Sequence, residues 1–230
     1  VSRNIIRTTF LSKGAAERGA RRPKSIPKTE FKKVGVLGAG MMGAGIALVS
    51  AQAGVDVILI DRDVEIATKG KAYSETVFGK QIARGSMTQD KADTLLARIT
   101  PTADFALLAG CDLIIEAVFE DVGIKAETTR KAEAVIPATT VYASNTSTLP
   151  ITKLAEASAR PDQFIGLHFF SPVDRMGLVE IIKGEKTSAA ALAVALDFVA
   201  KLRKTPIVVN DSRGFYTSRV FQTLIHEGAA

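Results

Sequence analysis

The sequence predicts an α/β chain organised around a doubly wound sheet with a helical pair inserted in it. Three observations carry this reading. Residues 33–37, KVGVL, form an apolar run of strand length that opens into Gly38-x-Gly40-x-x-Gly43 and a helix-compatible stretch ending at Gly54. A second β-branched run, residues 55–60, follows and stops at Asp61. Further apolar runs at 111–118, 140–144, 164–170 and 176–182 are separated by polar or helix-compatible stretches.

The chain does not start with this pattern. Residues 1–33 hold ten Lys/Arg and two Asp/Glu, whereas the remaining 197 residues hold twenty and twenty-two. The formal charge of +6 and the pI near 9.5 therefore belong to the leading segment. A nucleic-acid-binding domain would carry its basic residues on a folded face, and no matching motif occurs, so specific nucleic-acid binding is not expected. Residues 4–11, NIIRTTFL, are compatible with a short helix or strand, and residues 13–33 read as a basic linker rich in Gly and Pro. The first residue is Val, which suggests a piece of a longer protein. No apolar run reaches membrane-spanning length and no signal-peptide pattern is present. The single cysteine, Cys111, forbids an internal disulfide, favours a reducing compartment and reads as a small core or strand-edge residue.

Residues 33–61 form a βαβ unit with a reason for each glycine. Gly38 permits the tight turn, Gly40 lets the backbone approach a pyrophosphate, and Gly43 lets the helix pack near the strand. The helix start offers free N–H groups and a positive dipole end. Asp61 stands twenty-three residues after Gly38, where a ribose-binding carboxylate belongs. Together these predict a Rossmann-type dinucleotide site. Asp61 favours NAD over NADP by repelling a 2′-phosphate. Arg62 blurs that preference and Asp63 restores negative charge; the glycine spacing alone also admits FAD.

Residues 64–100 are helix-compatible with a bend near 79–89, too long for a plain crossover, hence the inserted pair. Residues 101–110 lead into the strand-like CDLIIEAV, after which Glu120 stands where ligands gather in such folds. Lys125 lies near the start of the next helix. The run TVYASNTSTLPI reads as a strand ending in Asn145, Thr146, Ser147 and Thr148, a hydrogen-bonding loop or an N-cap for a helix beginning near Ile151. Residues 164–170 and 176–182 read as neighbouring strands, so His168 and Glu180 can face one another. A carboxylate beside one imidazole nitrogen fixes the tautomer and leaves the other nitrogen free to take a proton, as oxidation of an alcohol requires. The other histidine, His226, falls in a terminal apolar-periodic helix, facing solvent or a partner.

Four motifs in fixed order, GAGMMGAGIA, SNTSTLPI, GLHFFSPVDRMGLVEII and VNDSRGFYTSRV, resemble the L-3-hydroxyacyl-CoA dehydrogenases, and most nearly the dehydrogenase region of bacterial multifunctional fatty acid oxidation alpha subunits. The resemblance covers essentially the whole chain. It implies a basic interdomain linker over 1–30, an NAD-binding domain over 31–211, and over 212–230 the truncated start of an all-helical C-terminal domain. It implies oxidation of (S)-3-hydroxyacyl-CoA with NAD, His168 as base and Glu180 as its partner. Ser147 and Ser218 then contact substrate, and Gly38, Gly40, Met42, Gly43, Asp61, Val118, Glu120, Lys125, Asn145, Ser147 and Ser171 form the NAD site; no metal is implied. Two positions depart from the family, which often has Asn at 171 and a substrate-contacting Asn at 218. The resemblance further implies a cytoplasmic protein with a preceding enoyl-CoA hydratase/isomerase domain, a missing helical domain, and a thiolase subunit as companion. A stand-alone 3-hydroxybutyryl-CoA dehydrogenase, possibly using NADP, and a fragment that binds NAD without efficient turnover are the alternatives.

Overall fold

In a computed structural model, which describes residues 2–228, the leading segment is helical and exposed: α1 (Ser2–Ile6), a π-helical turn over Arg7–Ser12, and α2 (Lys13–Glu17). The sheet begins with β1 (Lys33–Leu37), which leads through the glycine turn into α3 (Met41–Gln52) and then β2 (Asp56–Ile60). Both strands are apolar on both faces and buried almost throughout, the pattern of parallel strands sandwiched between helices. The expected helical pair is α4 (Val64–Ala83) and α5 (Gln89–Ala97), with N-caps Asp63 and Thr88. It packs back on α3 through a small core of Leu48, Phe78 and Ala92.

The chain then makes β3 (Ile99–Thr102), an edge strand that the sequence did not predict. Pro101 obscured it, yet an edge strand tolerates a proline whose missing N–H costs no ladder bond. There follow β4 (Leu113–Glu116), α6 (Val122–Glu133), β5 (Val141–Ser144), α7 (Ile151–Leu154), β6 (Phe164–Phe169) and β7 (Leu178–Lys183). Beyond them lie α8 (Ala189–Lys201), β8 (Thr205–Asn210) and α9 (Thr217–Gly228).

The strand order is β3-β2-β1-β4-β5-β6-β7-β8. The first six strands of that order are parallel, β7 runs antiparallel to β6, and β8 is parallel to β7. Strand order reverses between β1 and β4, which opens a crevice at their carboxyl ends. Each face carries its own core. On one, Ile46 and Val49 of α3 and Leu192 and Phe198 of α8 pack on the sheet; on the other, Ala132 of α6, Ile151 and Leu154 of α7, and Phe215 do so. The architecture is therefore a Rossmann-type doubly wound α/β fold. Cys111 sits in the second core, and burial pushes its thiol up to about 11.

The end of the basic leading segment is tied down rather than loose. Arg22 forks onto Asp197 of α8, with Nε–Oδ1 at 2.6 Å and Nη2–Oδ2 at 2.9 Å, and donates to the carbonyls of Pro23, Ile26 and Pro27. At the other end, α9 buries none of its side chains and exposes Val220, Phe221, Leu224 and Ile225; His226 is exposed beside them.

Candidate active site

The glycine turn has the shape that a nucleotide pyrophosphate needs. Gly38 sits at φ +95°, and a Cβ there would lie 2.5 Å from the Ala117 carbonyl oxygen. At Gly43 a Cβ would stand 1.7 Å from the Gly38 oxygen, so only glycine lets α3 start this close to the turn. At Gly40 a Cβ would meet nothing within 4 Å: the backbone there faces open space at the helix start. Gly40 caps α3 with no side chain, so the N–H groups of the first turn remain available to an anion. Asp61, at the end of β2, accepts from the Ala39 N–H at 2.7 Å and from the Arg62 N–H at 2.8 Å, which fixes its carboxylate beside the turn. The Arg62 guanidinium lies 3.7 Å from Asp63 and is largely in solvent. This arrangement fits a dinucleotide with a free ribose 2′-hydroxyl.

Beyond the turn, a cleft of about 330 Å³ is lined by Met42, Val118, Glu120, Asn145, Ser147 and Ser171, together with His168. Larger cavities lie elsewhere, but none holds these residues. Asn145 Oδ1 accepts from the Phe169 N–H at 2.9 Å, tying the end of β5 to β6. Ser171 reaches only Met41 Sδ, at 3.6 Å. Ser218 Oγ lies 3.5 Å from the Ser147 carbonyl oxygen, so the two serines meet where the first turn of α9 approaches the β5 loop.

Lys125 does not line the cleft. It is buried behind it, with Nζ 2.8 Å from Glu116 Oε1 and 3.2 Å from Glu120 Oε2. Glu116 is a residue the sequence reading passed over. It ends β4, is wholly buried, and also accepts from the Val118 N–H at 2.8 Å and from Ser144 Oγ at 2.7 Å. Its signal was present as a lone acid in the apolar LIIEAV with a lysine nine residues on. Burial raises the Glu116 carboxyl despite Lys125 and its hydrogen bonds. Glu120 goes the other way: burial acts to raise it, but Thr146, Lys125 and the Ser147 N–H hold it below its ordinary value. Thr146 Oγ1 donates to Glu120 at 2.5 Å and the Ser147 N–H at 3.1 Å, so Glu120 fastens the β5 loop to the β4 loop. The buried lysine thus sets Glu120, and Glu120 sets the backbone at Ser147.

His168 and Glu180 are directly opposed in the antiparallel β6–β7 ladder, with Nδ1 2.9 Å from Oε2. Both are buried, and the imidazole stands between Phe170 and Phe215, at ring-centroid distances of 4.4 and 6.1 Å. Glu180 accepts four hydrogen bonds. Besides His168, Oε2 takes Thr217 Oγ1 at 2.7 Å, while Oε1 takes the N–H groups of Tyr216 and Thr217 at 2.9 and 3.0 Å. Burial acts to raise the Glu180 carboxyl, but His168 and the Thr217 and Tyr216 donors outweigh it and hold the group below 4.5. An ionised Glu180 makes Nδ1 the protonated nitrogen and leaves Nε2 for proton transfer. Sequence reasoning missed the two α9 residues in this cluster, because nothing local in GFYTSRV points to a carboxylate thirty-six residues earlier.

Among the described residues no group of His, Cys, Asp and Glu is placed to hold a metal ion, and no helix is long and apolar enough to cross a membrane. Residues 33–212 match the family described as 3-hydroxyacyl-CoA dehydrogenase, NAD binding domain. The fatty acid oxidation complex subunit alpha of Psychrobacter arcticus is 42% identical over 207 residues, covering 87% of this chain and 29% of that protein. A probable 3-hydroxybutyryl-CoA dehydrogenase of Deinococcus radiodurans is 43% identical over 195 residues, covering 85% of this chain and 70% of that protein. The crystal structure of an (S)-3-hydroxybutyryl-CoA dehydrogenase from Ralstonia eutropha superposes with a TM-score of 0.83 at 34% identity, over 87% of this chain and 74% of that one. The chain thus spans less than a third of the first relative's length.

Proposed function

The chain belongs to the 3-hydroxyacyl-CoA dehydrogenase family as its NAD-binding domain, and from that premise we propose that it serves the oxidation of (S)-3-hydroxyacyl-CoA to 3-oxoacyl-CoA in fatty acid β-oxidation. The cofactor is NAD, the nucleotide of the matched domain, and this settles the choice that the glycine spacing left open with FAD. Bound NAD⁺ supplies the acceptor for the hydride that leaves C3.

The observation that carries the reading is the buried His168–Glu180 pair in the wall of the cleft. His168 Nε2 takes the hydroxyl proton as C3 is oxidised, and Glu180 stabilises the imidazolium that results. Ser147 and Ser218 hold the substrate oxygen. A serine at 218 offers one hydroxyl where an asparagine would offer separate donor and acceptor ends. Met42, Val118, Glu120, Asn145 and Ser171 shape the nicotinamide side of the site. Lys125 acts on it through Glu120.

The domain reading is a linker over 1–30, the NAD-binding domain over 31–211, and the start of a helical domain over 212–230. The resemblance to alpha subunits supports a hydratase/isomerase domain ahead of this region, a thiolase companion and a cytoplasmic setting. The Deinococcus relative supports a second reading, a short-chain 3-hydroxybutyryl-CoA dehydrogenase. Comparing kcat/KM on (S)-3-hydroxybutyryl-CoA with that on longer acyl chains separates the two.

The test of the base is His168→Gln in the complete protein. Oxidation of (S)-3-hydroxybutyryl-CoA should fall about 10²-fold or more, the usual scale of general-base loss, with NADH affinity retained. Full turnover in that variant would refute the assignment. The 230-residue chain alone should bind NADH and turn over poorly. Turnover equal to the complete protein would overturn that.

A further inference from the structure

We infer that Thr217 is a positioning residue for proton transfer: through its hydroxyl, the first residue of α9 holds the Glu180 carboxylate in the plane that aligns His168. The inference deepens the oxidoreductase reading of this site and rests on it. The argument starts from how the carboxylate is held. Oε1 takes two backbone N–H groups, from Tyr216 and Thr217, which anchor one end only. An oxygen held at one end leaves the group free to rotate about the bond to its own carbon. Oε2 is the oxygen that meets His168 Nδ1, and the Thr217 hydroxyl, at 2.7 Å, is its only other hydrogen-bond donor among the described residues. The hydroxyl therefore fixes the rotation that the backbone bonds leave open.

The ring depends on that rotation. His168 has aromatic neighbours in Phe170 and Phe215, which restrict its space without setting its direction. The Nδ1–Oε2 hydrogen bond sets direction, so whatever fixes Oε2 fixes the ring. All three of the other donors to Glu180 come from the entry to α9, a helix that otherwise buries no side chain. The base is thereby tied to the placement of α9, the same helix whose Ser218 meets Ser147.

The test uses two readouts. The chain has only two histidines, and His226 is exposed in α9, so the Nδ1 proton of His168 can be followed by NMR in ¹⁵N-labelled protein. In Thr217→Val, which keeps the shape and removes the hydroxyl, that proton should exchange faster with water. In Thr217→Ser, which keeps the hydroxyl, it should stay protected. In the complete protein, Thr217→Val should lower kcat for (S)-3-hydroxybutyryl-CoA oxidation about threefold to tenfold, the scale of one hydrogen bond to a charged group, with the NADH dissociation constant unchanged. Thr217→Ser should restore most of the loss. On a Glu180→Gln background, Thr217→Val should cost little more. The inference is overturned if Thr217→Val leaves both the proton and kcat as in the wild type, or if Thr217→Ser loses as much as Thr217→Val. An altered proton in Thr217→Val, combined with full turnover in His168→Gln, would instead sink the assigned activity and leave the positioning intact.

Discussion

Replacing Glu180 by Gln should disable His168 while leaving the fold and the nucleotide site in place. A glutamine side chain matches the shape of the carboxylate, but one of its two ends is a donor. The Oε1 place faces two backbone N–H groups, which cannot become acceptors. The amide oxygen must therefore stay there, and the NH₂ group takes the Oε2 place. That group then meets the Thr217 hydroxyl, which can turn round to accept, and His168 Nδ1, which must give up its proton. The ring proton moves to Nε2, the nitrogen that has to receive the substrate's proton. The base is thus occupied in its resting state, and the imidazolium loses a partner whose bond is worth about 1.5–3 kcal/mol. Losing an aligned general base costs about 10²- to 10⁴-fold in kcat. Folding stability should change by only about 1 kcal/mol, because every position keeps a hydrogen-bond partner. The assay is steady-state oxidation of (S)-3-hydroxybutyryl-CoA by the complete protein, with NADH affinity measured in parallel by fluorescence titration. A kcat within about threefold of wild type would refute the tautomer argument, since one misplaced proton at a general base is expected to cost far more.

Three further outcomes follow from the same geometry. Asp61→Ser should weaken NADH binding by about tenfold and improve NADPH relative to NADH, since it removes both the ribose acceptor and the charge that repels a 2′-phosphate; titration with the two nucleotides reads this. Lys125→Met should destabilise the fold by about 3–5 kcal/mol in chemical denaturation by leaving Glu116 buried and unpaired, and adding Glu116→Gln should recover much of the loss. Glu120 and Glu180 both titrate below 4.5 in the fold, so their stabilisation is fully present above the ordinary carboxylate range and is lost as pH falls through their folded values. Glu116 contributes with the opposite sign, because its carboxyl is raised. Unfolding free energy measured from neutral pH downward should therefore have a smaller acid slope in Glu180→Gln than in wild type.

Much of this was legible in local sequence. The βαβ unit of residues 33–61 announces itself because each glycine answers a steric demand within a few residues, and the structure shows those demands as atoms that a Cβ would strike. The facing of His168 and Glu180 was readable because two apolar runs joined by a short loop leave few other pairings. What stayed hidden depends on distance along the chain. β3 was masked by Pro101, which only its edge position excuses. The sequence reading also passed over α8 and β8: the alanine-rich helix packs by burial on the sheet, and β8 is placed by pairing with β7. Glu116 looked like a stray acid until the fold brought Ser144 and Lys125 to it. The four donors on Glu180 come from β6 and from the entry to α9, two places that no periodicity connects.

The backward run of β7 has a consequence for which changes the protein tolerates. His168 and Glu180 meet through ladder register and not through the turn that joins their strands. Residues may be added to or removed from that turn without separating the pair, provided the strands keep their alignment. A single deletion inside residues 164–168 is another matter. It would shift the parity of the strand, send the imidazole to the far side of the sheet and bring a leucine against the carboxylate. Variation in length should therefore collect between the strands, and an odd change within either one should silence the enzyme.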